Sequence, residues 1–304
     1  MATAEAMQQQ EPVGLQIAGL QFSYPGQAGP PGEPFIRNCD IDIPRGSRCL
    51  LVGANGAGKT TLLQVLAGKY MVSPDQVRIL GRPPFHDMDL TCSGQLSYLG
   101  NSWRKDVSFA GYGVPLQADI SAGKMIFNVD GVDPARRAHL IRMLDIDIYQ
   151  RLTTMSDGQR RRVQICMGLL KLYDVLLLDE ITVDLDVVGR LKLLEFFRQE
   201  CEQRKTTIVY ATHIFDGLEN WVTHLAYMEN GQFVKAGPCP SIPEIVEARK
   251  SGTKLLTVFE GWLRSEREAR HARQQSQPKA VPGSEAATPQ RTPFMPSKHL
   301  AFFR

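Results

Sequence analysis

Eight residues, GANGAGKT at 53–60, fit the spacing G-x-x-x-x-G-K-[ST]. They follow a short apolar run, RCLLV at 48–52, and precede KTTLLQVLAG, which reads as a helix. That placement suits phosphate chemistry. Gly53, Gly56 and Gly58 let the backbone bend so that its N–H groups turn inward on an anion. The start of the following helix adds partial positive charge. In such a loop Lys59 reaches the β- and γ-phosphates, and Thr60 offers its hydroxyl to Mg²⁺. A second stretch, VLLLDE at 175–180, supplies the other half of the chemistry. Four apolar residues bury a strand, and two acids emerge at its carboxyl end. Asp179 is placed to hold Mg²⁺ through water. Glu180 is placed to orient or deprotonate an attacking water.

A third stretch, TTMSDGQRRRVQI at 153–165, reads as a helix start. Ser156, Asp157 and Gly158 gather where backbone N–H groups are unpaired and the helix dipole favours an anion. Arg160, Arg161 and Arg162 follow. They read as a solvated helix face with one arginine turned to a phosphate or a partner, ahead of a nucleic-acid contact.

The elements that must position these groups alternate between strand and helix. Leu15, Ile17, Leu20, Phe22 and Tyr24 alternate with polar or small partners, with a slip in phase near Ala18-Gly19. That pattern predicts an edge-type strand with a bulge. Strands are also expected at 36–43, 48–52, 77–80, 96–99, 175–178 and 207–212. Residues 81–95 read as loop, and 111–129 give no clear pattern. Asp133-Pro134 predicts an N-cap and first helical residue, with the helix ending near Leu144. Val163, Met167 and Leu170 share one helix face, and Val187, Leu191, Leu194 and Phe197 share another. Asn230-Gly231 joins 224–228 and 232–234 as a tight hairpin. Ser241-x-x-Glu244 fits a capping box. Leu255, Leu256, Phe259, Trp262 and Leu263 form an apolar helical stripe.

Tyr24, GANGAGKT, MSDGQ, VLLLDE, the Leu185-Asp186 pair and His213 occur in an order that resembles the ABC-type ATPase domain. The resemblance covers roughly residues 14–240. It implies an α/β fold, a P-loop NTPase of ABC type, with an antiparallel β subdomain and a partly helical signature-motif lobe. It implies ATP and Mg²⁺ as cofactors and hydrolysis as the activity, with Glu180 and His213 catalytic. The nucleotide would lie on Tyr24, Gly53, Ala54, Asn55, Gly56, Ala57, Gly58, Lys59, Thr60 and Thr61. Thr60, Asp179 and Asn101 would serve the metal. In the family, the motif held here by Ser156, Gly158 and Gln159 binds the γ-phosphate on the P-loop of the opposite subunit, and Asp186 belongs to the crossing loop. One such domain therefore implies an ATP-dependent dimer, most simply of two copies of the chain. Three positions depart from the family pattern. Asp157 stands where the family has Gly, Asn101 where it has Gln, and Ile181 where it has Pro. SYLGNSWRKDVSFAG, KMIFNVDGVDPARRAHLI and MSDGQRRRVQI further resemble the non-intrinsic (subfamily I) ABC proteins of plants and the yeast ABC ATPase associated with the carbon-catabolite-repressor/Not transcription complex. That likeness implies a regulatory ATPase in a protein complex, cytoplasmic and also nuclear. The ATP-binding subunit of a transporter with a separate transmembrane chain is the alternative.

Bulk properties agree with a globular, water-soluble class. The chain has 304 residues, a net charge of +3, 43% hydrophobic and 22% charged residues. Such a charge does not indicate nucleic acid as a partner. The six cysteines show no CxxC pair and no zinc-ligand spacing, so they read as reduced, mostly buried thiols. No apolar run approaches the roughly 20 residues that span a bilayer. Residues 1–13 read as a flexible tail, 14–245 as the ATPase domain with its lobe at about 101–170, 246–270 as a helical extension, and 271–304 as low-complexity chain.

Overall fold

Strands rich in β-branched and aliphatic residues pair into two main sheets in a computed structural model, which describes residues 12–24, 34–100, 108–109, 112–113 and 120–276. The chain runs β1 (Val13–Phe22), β2 (Ile36–Pro44), β3 (Arg48–Val52), α1 (Lys59–Leu66), β4 (Val77–Ile79), α2 (Met88–Cys92) and β5 (Leu96–Leu99). It continues through β6 (Ser108–Phe109), β7 (Tyr112–Gly113), α3 (Ala122–Phe127), α4 (Pro134–Met143) and α5 (Asp157–Leu169). Then come β8 (Val175–Asp179), α6 (Val187–Arg204), β9 (Thr207–Ala211), β10 (His224–Glu229), β11 (Gln232–Pro238), α7 (Pro243–Ser251) and α8 (Leu255–Ser276). The antiparallel sheet has the order β2-β1-β4, and the larger one the order β11-β10-β3-β9-β8-β5. In the larger sheet all neighbours are parallel except the β10–β11 pair.

Parallel strands covered on both faces are apolar throughout, and β8 and β9 are buried along their whole length. Alternate residues feed two cores. Leu50, Val52, Leu176, Leu178, Ile208 and Tyr210 face the helices α4, α5 and α6. Cys49, Leu51, Val175, Leu177, Val209 and Ala211 face α1 and the antiparallel sheet. The six-stranded sheet is thus the middle layer, and the carboxyl ends of β3, β5, β8 and β9 open at one edge.

Several expectations are met at residue level. Asp133 caps α4, accepting from the Ala135 and Arg136 amides at 3.3 and 3.0 Å, with Pro134 at the first position. Asn230 (φ 48°) and Gly231 (φ 79°) form the two-residue turn between β10 and β11, the left-handed pair that a primed turn requires. The bulge in β1 appears as a register shift between Ile17 and Leu20.

Other expectations are corrected. β1 is the middle strand of its sheet, not an edge, because β4 returns from beyond α1 to pair with it. The stretch at 81–95 contains α2, capped by Asp87, whose Oδ1 accepts from the Leu90 amide. The patternless 111–129 contains α3, capped by Ser121. Ser241 forms no capping box: its hydroxyl donates to the Pro238 carbonyl, and α7 starts with Pro243 after an uncapped Ile242. On α6, Leu194 and Phe197 are buried but Val187 and Leu191 are exposed, and the buried stripe runs through Leu193, Phe196 and Cys201. Leu256 likewise leaves its stripe and is exposed. The expected tail at 1–13 gives way to β1 at Val13, and α8 continues past 270 to Ser276.

The signature-bearing lobe is tied down by charge as well as packing. Arg136 on α4 makes a bidentate pair with Glu200 on α6, at 2.9 and 3.0 Å, and its Nε donates to the Leu169 carbonyl of α5. Glu200 also accepts from Arg204 at 2.7 Å. The Arg136–Glu200 pair is about nine-tenths buried. The chain divides into two compact units, Met1–Leu263 and Arg264–Arg304. The described part of the second is the end of α8, in which Arg270 donates to Glu266.

Candidate functional site

The glycine-rich loop, the paired acids and His213 leave β3, β8 and β9, which are neighbours in the larger sheet and end side by side. β3 runs into the loop Gly53–Gly58, and α1 begins at Lys59. Gly58 has φ 110°, a conformation closed to other residues at low energy. Gly53 lies so close to β10 that a Cβ would meet the Met228 carbonyl oxygen at 2.3 Å. The turn of the β10–β11 hairpin braces the loop, since the Gly231 amide donates to the Ala57 carbonyl at 2.9 Å. Lys59 is buried, and its Nζ donates to the carbonyls of Gly53 and Ala54 at 2.8 and 3.0 Å. Its ammonium therefore lies across the mouth of the loop. Asn55, Gly56 and Thr60 are exposed there, and Thr61 points inward.

β8 delivers the two acids. Asp179 is buried at 4% exposure, hydrogen-bonded to Thr60 and to Tyr98. Burial pushes its carboxyl above the usual range. The Thr60 and Tyr98 hydrogen bonds act against that, and so does the Lys59 charge. An acid desolvated this far, beside a threonine hydroxyl, has the donor chemistry that suits a hard divalent cation. Glu180 leaves the strand with φ 51°, unusual for a residue with a side chain. Its amide donates to the Ala211 carbonyl of β9 at 2.9 Å. From the end of β9, His213 brings Nε2 to 2.9 Å from Glu180 Oε1. Burial and then the Lys59 charge hold the imidazole below its ordinary pKa, while the Glu180 carboxylate acts against them.

Tyr24 lies just past β1. Its hydroxyl shares a 2.5 Å hydrogen bond with Thr61, and its ring meets Phe22, Phe35 and Tyr70 at 5.2–5.6 Å between centroids. It is thus anchored to the first turn of α1 within an aromatic cluster. The Asn101 expectation falls outside the described residues.

The signature stretch begins α5 as foreseen, and its capping is reciprocal. Ser156 Oγ accepts from the Gln159 amide at 3.3 Å, and Gln159 Oε1 accepts from the Ser156 amide at 2.9 Å. Gln159 Oε1 also accepts from Gln150 at 3.3 Å. Gly158 packs on the loop after β8, where a Cβ would lie 3.1 Å from the Asp184 carbonyl oxygen. Asp157 is turned out and ion-pairs with Arg160 at 2.7 Å, so its charge is matched within its own helix turn. Asp186 caps α6, accepting from the Gly189 amide at 2.6 Å. Among the described residues, the hydrogen bonds of Ser156 and Gln159 stay in their own lobe and none reaches the P-loop.

The three arginines are not one solvated face. Arg160 pairs with Asp157 at the surface. Arg162 lies between Asp145, at 3.4 Å, and Asp186, at 4.0 Å. Arg161 is buried under the loop that carries Glu180 and Ile181. Sequence reading missed Arg161 and Tyr98. For Tyr98 the available signal was its place near the end of a strand parallel to β8.

Comparison with known proteins agrees with this architecture. A family model described as "ABC transporter" matches residues 36–183. "ABC transporter I family member 20" of Arabidopsis thaliana is 56% identical, over 90% of this chain and 83% of its own length. "CCR4-associated factor 16" of Saccharomyces cerevisiae is 40% identical, over 72% of this chain and 77% of its own. A solved dimeric, post-hydrolysis ATP-binding cassette bound to ADP and Pi superposes with a TM-score of 0.59 at 18% identity, covering 74% of this chain and 98% of that one. That last likeness concerns the fold. No helix among the described residues is long and apolar enough to cross a membrane.

Proposed function

The chain belongs to the ABC family of ATPases, and from that membership we propose that it binds Mg·ATP at Gly53–Thr61 and hydrolyses it between two copies of itself. The observation that carries this reading is the convergence of five groups where β8 and β9 end and α1 begins. Lys59 covers the loop mouth, Thr60 meets Asp179, and His213 holds Glu180 at 2.9 Å. The backbone amides of Gly53, Ala54, Asn55, Gly56, Ala57 and Gly58 cradle the phosphates, and Lys59 neutralises their charge. Thr60 and Asp179 would hold the metal, and by the family resemblance Asn101 would serve it as well. Mg²⁺, when bound, stabilises charge on the phosphoryl oxygens. Glu180 orients the attacking water and accepts its proton, and His213 keeps the carboxylate aimed. Tyr24 lies against the base, with its hydroxyl on Thr61 restricting the ring.

Ser156, Gly158 and Gln159 act on the nucleotide of the partner copy. Ser156 Oγ uses a lone pair on the Gln159 amide, which leaves its O–H free to donate to an incoming phosphate. Asp186 lies at the crossing. The chain acts in a regulatory protein complex in the cytoplasm and the nucleus. The name CCR4-associated factor 16 supports that reading, since it describes a relative defined by association with another protein. The family model's description as a transporter favours a second reading, the ATP-binding subunit of a transporter whose membrane part is another chain. Purification from the native cell separates the two: a stoichiometric polytopic membrane protein overturns the regulatory reading.

The hydrolysis reading is tested with purified wild type and Glu180→Gln. Loss of the base lowers kcat by roughly 100-fold or more, and an ATP-bound dimer accumulates in the variant. A wild type that binds ATP without turnover, with an unchanged Glu180→Gln, overturns hydrolysis and leaves a binding switch.

A further inference from the structure

Arg161 lies one turn into α5 and is 6% exposed. A guanidinium so buried must spend its donors on protein acceptors. Its Nε donates to the Ile181 carbonyl at 3.1 Å, and one terminal nitrogen donates to the Glu180 carbonyl at 3.4 Å. The other terminal nitrogen donates to the Gly100 carbonyl at 3.3 Å and to Gln164 Oε1 at 2.9 Å. One side chain therefore joins the helix of the signature stretch, the loop carrying the base and the end of β5.

The loop needs such a hold. Glu180 sits at φ 51°, left-handed backbone that persists in an L-residue only where its surroundings over-determine it. On its amino side the Ala211 carbonyl takes the Glu180 amide at 2.9 Å. On its carboxyl side Arg161 takes two successive carbonyls. With both peptide planes held, the carboxylate meets His213 Nε2 at 2.9 Å.

We propose that Arg161 is a positioning residue that couples the signature helix to Glu180, so that a displacement of α5 is passed to the base through the Glu180 and Ile181 carbonyls. This rests on the ATPase reading for its effect on turnover, but the linkage itself is readable without ATP. The planar fork matters: a lysine ammonium has the charge but cannot span acceptors on three segments.

The test compares wild type, Arg161→Met and Arg161→Lys in the full chain. The first readout is backbone hydrogen exchange without nucleotide. In Arg161→Met, exchange in 180–186 rises about tenfold or more, while α1 and the β10–β11 hairpin keep their protection. The second readout is steady-state hydrolysis with binding of a fluorescent ATP analogue. There kcat falls about tenfold or more, while KM and analogue affinity stay within about twofold, the pattern of a lost orientation and not of lost binding. Arg161→Lys lies nearer the methionine variant than wild type, and it carries the test if Arg161→Met does not fold. Unchanged exchange at 180–186, or a uniform rise across the fold, overturns the proposal. So does an unchanged kcat in a chain that hydrolyses ATP. If wild type does not hydrolyse ATP, the ATPase reading fails, and the exchange pattern still decides the linkage.

Discussion

At the scale of single residues, Asp179 is a charge in a place that disfavours charge. It ends a fully buried strand, and burial pushes its carboxyl up, toward the protonated form. A carboxyl raised in the folded state makes folding less favourable at neutral pH than at acid pH. Asp179→Asn removes the charge and keeps the shape. Its thermal midpoint without nucleotide or metal should equal or exceed that of wild type, while Mg²⁺-dependent hydrolysis is lost. A midpoint several degrees lower, read by differential scanning fluorimetry, would show that the charge is already well paired. Asp157 is the opposite case. Its place in a phosphate-facing motif looks unfavourable in sequence, yet Arg160 matches its charge three residues on. That partner lies within one helix turn and follows from i,i+3 geometry. The Arg161 contacts to Gly100, Glu180 and Ile181 lie 19 to 61 residues away in the chain. No local pattern announces them.

At the scale of elements, α4 and α5 of the lobe are held to α6 by the Arg136–Glu200–Arg204 group. Glu200→Ala leaves a buried guanidinium uncompensated, which costs about 3–5 kcal/mol. The urea midpoint should fall accordingly, and more than for Glu195→Ala, whose pair with Arg198 is exposed to water and screened by it. Helix starts were the most legible elements. Asp133-Pro134 and the Ser156–Gln159 box are local chemistry with fixed spacing. Ser241-x-x-Glu244 fits the same spacing and is no cap, because Pro243 occupies the first helical position and the Ser241 hydroxyl turns to Pro238. α6 misled for another reason. Its apolar residues nearly encircle the helix, so periodicity alone does not say that Val187 and Leu191 stay outside.

At the scale of the whole molecule, the signature residues complete no site among the described bonds of their own lobe, which is what a head-to-tail dimer would require. Ser156→Arg should leave ATP-analogue binding at the P-loop intact and abolish ATP-driven dimerisation of the Glu180→Gln protein, measured by size exclusion with light scattering. A dimer that persists overturns the composite-site reading. The thiols give a check on the core. Five cysteines are buried and Cys92 is exposed. Burial raises Cys166 and Cys201 to about 12. A thiol reagent at pH 8 should find one fast group, lost in Cys92→Ser, with the other five appearing on denaturation.

The amino-acid sequence by itself determined the local chemistry of this protein: the glycine-rich loop, Lys59 and Thr60, the paired acids after an apolar run, the starts of α4 and α5 and the Asn230-Gly231 turn. Each depends on residues a few positions apart, where backbone geometry leaves little choice. Only the tertiary structure decided which groups from distant segments meet. The sheet order sets β5 beside β8, so Tyr98 reaches Asp179 across 81 residues. It sets β9 on the other side of β8, so His213 reaches Glu180. It also turns one arginine of three inward, because the burial of α5 is fixed by the sheet beneath it and not by the residues of the helix.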